Sequence, residues 1–302
     1  MVKSMIAAVT EGLGAQSAFY RCHPLLNITF FIAVVGVTMF SNHPFFLGAS
    51  FVMAWIYSIV LRGKKALRFN CLIMLPVFLL TTLLNTLNVH NGITVLFYLN
   101  GNRITLEAIL YGCAAALMLS SAMIWFSCFG VIVTEDKFLY LLGRGMPTIA
   151  LTLSMVLRYI PLLKNRFHEI STAQRAMGRK NSAGLLAKIR QLGKEVSILI
   201  AWSLEASIES ADSMEARGYG LRGRTSFHLF KMSPSEGILL FWMLLLGGVC
   251  IAGCALGHTN IYYYPTMLLP PMTWVQGICM GAFCLLMLSV VVMDLRGMRQ
   301  WN

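Results

Sequence analysis

The sequence predicts an all-α polytopic membrane protein, with about six transmembrane helices and one long basic segment between the fourth and the fifth. Three properties lead to this class. Of the 302 residues, 57% are hydrophobic and only 12% are charged, whereas a soluble domain typically has about 25% charged residues. The mean hydropathy is +0.70. The apolar residues also form long uncharged runs, which are typical of segments that cross a bilayer.

Six apolar segments have about the length of a transmembrane helix, because a hydrocarbon core of about 30 Å needs about 20 apolar residues. The uncharged run from 25 to 61 is divided by the turn sequence Ser41-Asn42-His43-Pro44. A polar loop, residues 88–102, joins the third segment to the fourth. The predicted spans are residues 25–41, 45–61, 69–89, 105–133, 237–257 and 273–293.

The distribution of Lys and Arg predicts the orientation. With six spans both termini lie on one side, and every Lys and Arg except Arg103 then falls on that side. Positively charged loops remain in the cytoplasm, so we expect a multi-pass plasma-membrane protein whose termini and central segment are cytoplasmic. These loops account for the net charge of +12. We therefore expect the lipid bilayer, and no nucleic acid, as a partner of the basic surface.

Three regions follow from this topology. An N-terminal membrane region, residues 1–134, contains four spans, and a C-terminal region, residues 235–302, contains two. Between them lies a cytoplasmic and interfacial region, residues 135–234. Within it, residues 148–160 are apolar and lie between two prolines, but they would form a helix of only about 20 Å. This length is too short to cross, so we expect an interfacial helix.

The middle region contains two further predicted helices, because its apolar residues continue at helical spacing. The first begins at Pro161, since proline is favoured in a first helical turn, and ends at Gly178, a typical C-terminal glycine. The second begins near Leu185 or Glu195 and ends at Arg217.

The second of these helices carries an acidic stripe. Glu205, Glu209 and Asp212 recur at positions i, i+4 and i+7, which places them on one face of a helix. Two interpretations are open. The stripe is either a solvated face or a surface that contacts the basic first helix.

The two predicted helices end with similar sequences, Ala-Gln-Arg-Ala-Met-Gly at 173–178 and Ser-Met-Glu-Ala-Arg-Gly at 213–218. Each has an arginine in its last turn. One explanation is local, because a cation near a helix C-terminus stabilises the helix by about 0.3–1 kcal/mol. The other is functional, because an arginine at a helix tip offers a bidentate, permanently charged group to an acid-lined groove on a partner. The composition supports both explanations.

These segments resemble the transmembrane T component of energy-coupling factor (ECF) transporters, which are importers driven by ABC-type ATPases. The resemblance covers most of the chain and is clearest in Leu-Arg-Tyr-Ile-Pro-Leu-Leu at 157–163 and in the two helix ends. Met-Glu-Ala-Arg-Gly-Tyr-Gly at 214–220 and Ile-Thr-Leu-Glu at 104–107 also fit. The resemblance implies that the middle region contains a pair of cytoplasmic coupling helices on an all-α membrane fold.

The resemblance also implies a role for each helix tip, which would dock on one subunit of a pair of ABC-type ATPases. A separate small membrane protein, the S component, would capture the substrate, a vitamin or a transition metal. The chain itself would be a scaffold and not an enzyme, with no catalytic residue, metal or cofactor. The implied ATPase-docking residues are Gln174, Arg175, Ala176, Met177, Gly178, Ala216, Arg217 and Gly218. The residues implied to support the coupling helices are Arg158, Pro161, Glu205, Glu209 and Asp212.

The first tip departs from the family pattern. The second tip keeps Ala-Arg-Gly at 216–218, but the first reads Ala-Met-Gly at 176–178, so Met177 occupies the usual arginine position. Either Arg175 or Arg179 takes over the docking role, or the contact has become apolar. Arg175 lies about 200° around the helix axis from Met177, so it cannot present its guanidinium from the same place. We therefore expect the first tip to dock with a larger apolar share than the second.

Two other functions are open. An ordinary ABC permease subunit is one, because Glu205-Ala206 followed by Gly218 faintly resembles its ATPase-docking loop, although such a subunit usually docks through one element. A membrane-embedded enzyme, such as a lipid-head-group transferase, would need a cluster of carboxylates, histidines or metal ligands. Only Glu205, Glu209 and Asp212 qualify, with no His or Cys nearby in the sequence. The sequence contains no Gly-x-x-x-x-Gly-Lys-Ser/Thr motif, so any ATPase activity must come from another chain.

Overall fold

The computed structural model describes residues 17–89, 92–99, 102–177, 184–221, 230, 232–264 and 273–300. These residues fall into two compact units. The membrane unit comprises the described parts of residues 1–138 and 230–302, and the central unit comprises those of residues 139–229.

The described residues are mostly helical and include one two-stranded hairpin. The helices are α1 (Ala18–Arg21), α2 (Pro24–Phe40), α3 (Pro44–Arg62), α4 (Lys64–Phe69), α5 (Leu75–Asn88), α6 (Leu106–Ile132), α7 (Glu135–Gly145), α8 (Pro147–Ala176), α9 (Leu185–Ala216), α10 (Pro234–Ala255) and α11 (Trp274–Gln300). A π-helical turn, Asn70–Met74, joins α4 to α5. The strands are β1 (Val95–Leu99) and β2 (Asn102–Thr105).

Five helical segments among the described residues are long and apolar enough to cross a membrane. They are Pro44–Arg62, Lys64–Asn88, Leu106–Ile132, Pro234–Ala255 and Trp274–Asp294. α2 is also apolar but has only 17 residues, which make about 25 Å of helix. These helices confirm an all-α polytopic membrane protein, and each predicted span coincides with one of them. The third segment begins earlier than predicted, at Lys64, because α4 and the π-helical turn continue directly into α5.

Two elements differ from the sequence prediction. The predicted loop 88–102 contains β1, which pairs with β2 in an antiparallel hairpin. Residues 95–99, Val-Leu-Phe-Tyr-Leu, include a β-branched and two aromatic side chains, which favour a strand. α7 is also unpredicted, although two acidic residues after Thr134 are a typical helix start.

Trp125 on α6 lies in the core of the membrane unit. Its ring centroid lies between 5.7 and 6.3 Å from those of Phe30 and Phe31 on α2 and Tyr57 on α3. Its indole N–H donates a hydrogen bond to the hydroxyl of Ser50 at 3.0 Å. Aromatic packing and a satisfied polar group therefore join three helices at one side chain.

Glu107, in the first turn of α6, fixes the loop before the hairpin. Its carboxylate accepts hydrogen bonds from the backbone N–H of Thr94, at 3.3 Å, and from the Thr94 hydroxyl. Gly92 lies against the same carboxylate with φ at +146°, and a Cβ at this position would be 2.6 Å from Oε2 of Glu107. The position therefore requires glycine, because any larger residue would clash and would have a strained backbone.

Lys137 on α7 is buried just beyond the C-terminal end of α6. Its ammonium donates to the carbonyl oxygens of Ile132, at 3.0 Å, and Tyr20, and lies 4.4 Å from the centroid of the Tyr20 ring. The Asn27 amide, oriented with its oxygen toward the ammonium, accepts at 2.7 Å. Burial lowers the pKa of Lys137 to about 8, so the group is still protonated at pH 7.

Two carboxylates hold the same N-terminal segment. Asp294 on α11 accepts a hydrogen bond from the backbone N–H of Phe19 at 2.8 Å. Glu236, in the first turn of α10, accepts from the backbone N–H of His23 at 3.0 Å. Residues 17–23 therefore link α7, α10 and α11 at one end of the membrane unit.

Candidate functional site

The predicted docking residues lie in the central unit, at the C-terminal ends of α8 and α9. The two helices contain 30 and 32 residues, so they are about 45 and 48 Å long. α9 begins at Leu185, the earlier of the two predicted starts.

Pro161 lies inside α8 and does not begin a helix. The predicted break between residues 148–160 and the following helix is therefore wrong. A proline in a helix interior removes one backbone hydrogen bond and costs about 3 kcal/mol, which is the reason for expecting a boundary. Its fixed φ is nevertheless helical, and apolar side chains continue at helical spacing on both sides. Arg158 and Pro161 are both exposed, and their supporting role stays a prediction.

The tip of α9 is fixed by backbone hydrogen bonds. Arg217 is the C-cap residue, and Gly218 follows with φ at +78°, a conformation that glycine adopts without strain. The N–H of Gly218 donates to the carbonyl of Glu215 at 2.9 Å, and the N–H of Tyr219 donates to that of Met214 at 3.0 Å. Together these bonds form a Schellman motif, which holds the exposed Arg217 at the end of the helix.

The tip of α8 presents a methionine in the corresponding place. Met177 is its C-cap residue, and the backbone N–H of Met177 donates to the carbonyl of Ala173 at 3.1 Å. The Met177 side chain is 69% exposed. A flexible, polarisable thioether at this position suits an apolar pocket, whereas Arg217 suits a carboxylate.

The other predicted docking residues also lie near the two tips. Three of them are exposed: Arg175, Ala176 and Ala216. Gln174 is half-buried. Gly178 lies outside the described residues, and so does Arg179, one of the two candidate replacements for the missing arginine.

A cation–π contact joins α8 to α9. The guanidinium carbon of Arg166 lies 4.9 Å from the ring centroid of Trp202. The same guanidinium forms an ion pair with Glu169, with Nη1 2.6 Å from Oε2. The contact between Arg166 and Trp202 was not identified from the sequence. The available signal was a tryptophan in an amphipathic helix whose predicted partner helix is basic, because a cation over an indole ring is favourable.

The acidic stripe of α9 is a solvated face in this structure. Glu205, Glu209 and Asp212 are all exposed. Within the part of the chain that the structure describes, the one ion pair joins Arg166 to Glu169, and none joins α8 to the acidic stripe. The spacing thus placed three carboxylates on one face, but the structure favours the solvated interpretation over contact with the basic helix.

A row of exposed apolar side chains follows α9 at intervals of four residues. Ile200, Leu204 and Ile208 are 52%, 61% and 65% exposed. The row extends toward the N-terminus through Val196 and Leu192. We call these five residues the apolar row. Contiguous exposed apolar surface marks a protein or membrane interaction site.

Residues 19–229 match the family CbiQ, described as a cobalt transport protein. This match includes both helix tips and the whole of the central unit.

Three known proteins are similar to this chain over about four fifths of its length. The energy-coupling factor transporter transmembrane protein EcfT of Lactobacillus helveticus is 25% identical over 248 residues, which cover 82% of this chain and 75% of that protein. The EcfT protein of Listeria innocua is 27% identical over 248 residues, which cover 78% of this chain and 93% of that protein. A Bifidobacterium longum protein named as an ABC transporter ATP-binding protein is 28% identical over 264 residues, covering 81% of this chain but only 33% of that protein.

Proposed function

The chain belongs to the CbiQ cobalt transport protein family, and we propose that it is the scaffold that couples partner ATPases to substrate uptake in an ECF importer. Its EcfT relatives match more than three quarters of the chain, which makes it a transmembrane component of this transporter class. In the proposed complex the chain itself hydrolyses no ATP, holds no cofactor and catalyses no reaction.

The observation that carries the proposal is the geometry of the α9 tip. A Schellman motif holds Arg217 at the end of a helix of about 48 Å, and its guanidinium is exposed. Such a group can form two parallel hydrogen bonds with a carboxylate. We assign Arg217 to an acid-lined groove on one ATPase subunit and Met177 to an apolar pocket on the other.

The Bifidobacterium longum relative supports a partnership with ATPases. That protein is named as ATP-binding, and this chain matches only about a third of its length. A segment similar to this chain and a larger remainder are therefore parts of one polypeptide there. In our proposal the corresponding partners of this chain are separate subunits.

The proposed orientation places both termini and residues 135–234 in the cytoplasm, where ATP is available. The distribution of Lys and Arg supports it, because Arg103 alone falls on the other side. Labelling of a cysteine introduced at position 220, in a variant from which the eight native cysteines have been removed, tests this orientation. A membrane-impermeant thiol reagent should reach it in inverted vesicles but not in intact cells, and strong labelling of intact cells would contradict the orientation.

The apolar row of α9 supports a membrane partner for the central unit. Five exposed apolar side chains on one helix require cover by lipid or by protein. We propose that the S component, a small membrane protein that captures a vitamin or a transition-metal ion, covers part of this surface. Closure of the ATPase pair would move the helix tips, and the long helices would transmit that movement to the S component as rigid levers.

Purification of the tagged chain in mild detergent tests the proposal through the proteins that accompany it. Mass spectrometry should identify two ABC-type ATPase subunits and one small membrane protein. Arg217→Ala should reduce ATPase recovery, because truncating one partner of a buried charge pair costs about 2–5 kcal/mol. Arg190→Ala is the matched control, since Arg190 is an exposed arginine on the same helix. Recovery of a second copy of the chain with its ATPases, and no small membrane protein, would instead indicate an ordinary permease.

A further inference from the structure

A groove of about 550 Å³ opens on the membrane unit between α3 and α5. Trp55 and Ile59 form one wall and Phe78 the other, and Leu117 of α6 forms part of the floor. The side chains that line the groove expose only apolar atoms to it. Because the lining residues belong to spanning helices, the occupant comes from the hydrocarbon core or from another membrane protein.

The two walls of the groove approach each other at one end. There the rings of Phe51 on α3 and Phe78 on α5 have centroids 6.4 Å apart. Beyond the other end Gly63 alone separates α3 from α4, with φ at +58°. α4 then continues through the π-helical turn into α5. Ile59 is the lining residue nearest the turn at Gly63 and lies four residues before it, which is about 6 Å along a helix.

Three basic side chains lie just after that turn. Lys64, Lys65 and Arg68 are exposed on α4, and none of them forms an ion pair in the part of the chain that the structure describes. Arg62 differs, because its guanidinium donates to the hydroxyl of Ser127 at 2.6 Å. Charges that form no ion pair with any described residue are available to a phosphate.

The spacing of cations and groove matches a phospholipid. Leu75, the first lining residue of α5, lies seven residues beyond Arg68, which is about 10 Å along a helix. The headgroup region of a bilayer is about 5–8 Å deep on each side of the hydrocarbon core. A phosphate held by the cations would thus place its acyl chains at the level of the groove.

The volume distinguishes an acyl chain from a helix. A helix with its side chains is about 10–12 Å in diameter, so the groove of about 550 Å³ would hold only about one turn of it. A single acyl chain is thinner. We propose that the groove binds one acyl chain of an anionic phospholipid whose phosphate contacts Lys64, Lys65 and Arg68.

Native mass spectrometry of the full chain tests this proposal. The chain, purified in mild detergent, is exposed to equal amounts of phosphatidylglycerol and phosphatidylcholine with the same acyl chains. Phosphatidylglycerol should be retained preferentially. Each basic side chain near an anionic headgroup contributes about a fivefold preference, so the double variant Lys64→Gln/Lys65→Gln should reduce the preference about 25-fold. Lys188→Gln/Arg190→Gln removes two exposed charges from the central unit and should leave the preference unchanged.

A second variant tests the groove itself. Val52 lines the groove and is 55% exposed, so Val52→Trp should fill the groove without disturbing the core. It should lower retention of both lipids. Equal retention of the two lipids by the unchanged chain, or full retention by Val52→Trp, would overturn the proposal. A photo-cross-linker replacing Ile56, another lining residue, should label phospholipid in native membranes, and a product with a membrane protein there would also overturn it.

Discussion

Replacing Gly218 with alanine changes the position of Arg217 while leaving its charge in place. Gly218 has φ at +78°, and an added Cβ would be 3.0 Å from Cδ1 of Leu221. An L-residue in this left-handed conformation costs about 1–2 kcal/mol. In the free chain the tip relieves this strain by giving up the two hydrogen bonds of the Schellman motif, so Arg217 leaves the helix end. Docking then requires the motif to form again with its strain.

The expected effect on docking follows from that free energy. A cost of about 1–2 kcal/mol corresponds to a factor of about 5–30 in an equilibrium constant. We expect Gly218→Ala to weaken binding of the ATPase subunits by this factor, with Arg217 still present. The assay is a titration of purified ATPase into the detergent-solubilised chain, followed by size-exclusion chromatography or a fluorescence readout.

Gly257 provides a matched control in the membrane unit. It follows the end of α10 with φ at +80° and forms the same motif, with hydrogen bonds of 3.1 Å from Gly257 to Cys254 and from His258 to Gly253. Apart from its two chain neighbours, no described residue has an atom within 4 Å of an added Cβ. Gly257→Ala should therefore impose a similar backbone strain without weakening docking. Unchanged docking by Gly218→Ala, or an equal loss in both variants, would refute a role for the geometry of the α9 tip.

Further variants test the tips and the membrane unit. Arg217→Ala should reduce ATPase binding more than Arg175→Ala, and a larger effect at Arg175 would show that this residue has taken over the docking role. Met177→Asp should impair assembly more than Met177→Arg, because Met177→Arg restores the family pattern; loss of assembly in Met177→Arg would contradict this asymmetry. Gly92→Ala should lower the free energy of unfolding of the purified chain by about 1–3 kcal/mol, the cost of overpacking, and should therefore lower its melting temperature. An unchanged melting temperature would contradict the close contact at this turn. Lys137→Met should also lower the melting temperature, because each lost hydrogen bond from a charged group costs about 1.5–3 kcal/mol, and an unchanged value would show that the ammonium contributes no net stability.

The spans could be predicted because bilayer thickness restricts both their length and their composition. The boundaries were also marked by local chemistry. Pro24 and Pro44 begin α2 and α3, and in each case the preceding histidine side chain accepts a hydrogen bond from the backbone N–H that follows the proline. The hairpin and the π-helical turn were missed because they are short and adjoin apolar helices that dominate the hydropathy.

Contacts distant in sequence could not be predicted. Phe19 and Asp294 are separated by 275 positions, and the sequence shows only that Asp294 is a lone carboxylate near the end of an apolar segment. Lys137 was assigned to a cytoplasmic loop on account of its charge. Three acceptors from the N-terminal segment, α2 and α6 bury it instead, and their convergence depends on the tertiary structure.

The tips show which local signals were sufficient. A glycine after the last periodic residue located the end of α9, because the left-handed conformation after a helix favours glycine. Pro161 was a misleading local signal. It predicted a helix boundary, but the amphipathic pattern continues on both sides of it and α8 passes through this residue. The acidic stripe was placed on one face by its spacing, but spacing contains no information about what that face contacts.

Site-specific photo-cross-linking from position 216 tests the central claim most directly. Ala216 is exposed and adjoins Arg217, so a photo-reactive residue there reaches whatever the tip contacts while Arg217 itself stays in place. In native membranes it should form a product with an ABC-type ATPase subunit, and Arg217→Ala in the same chain should reduce the yield. Products confined to lipid or to membrane proteins would contradict docking of this tip on an ATPase.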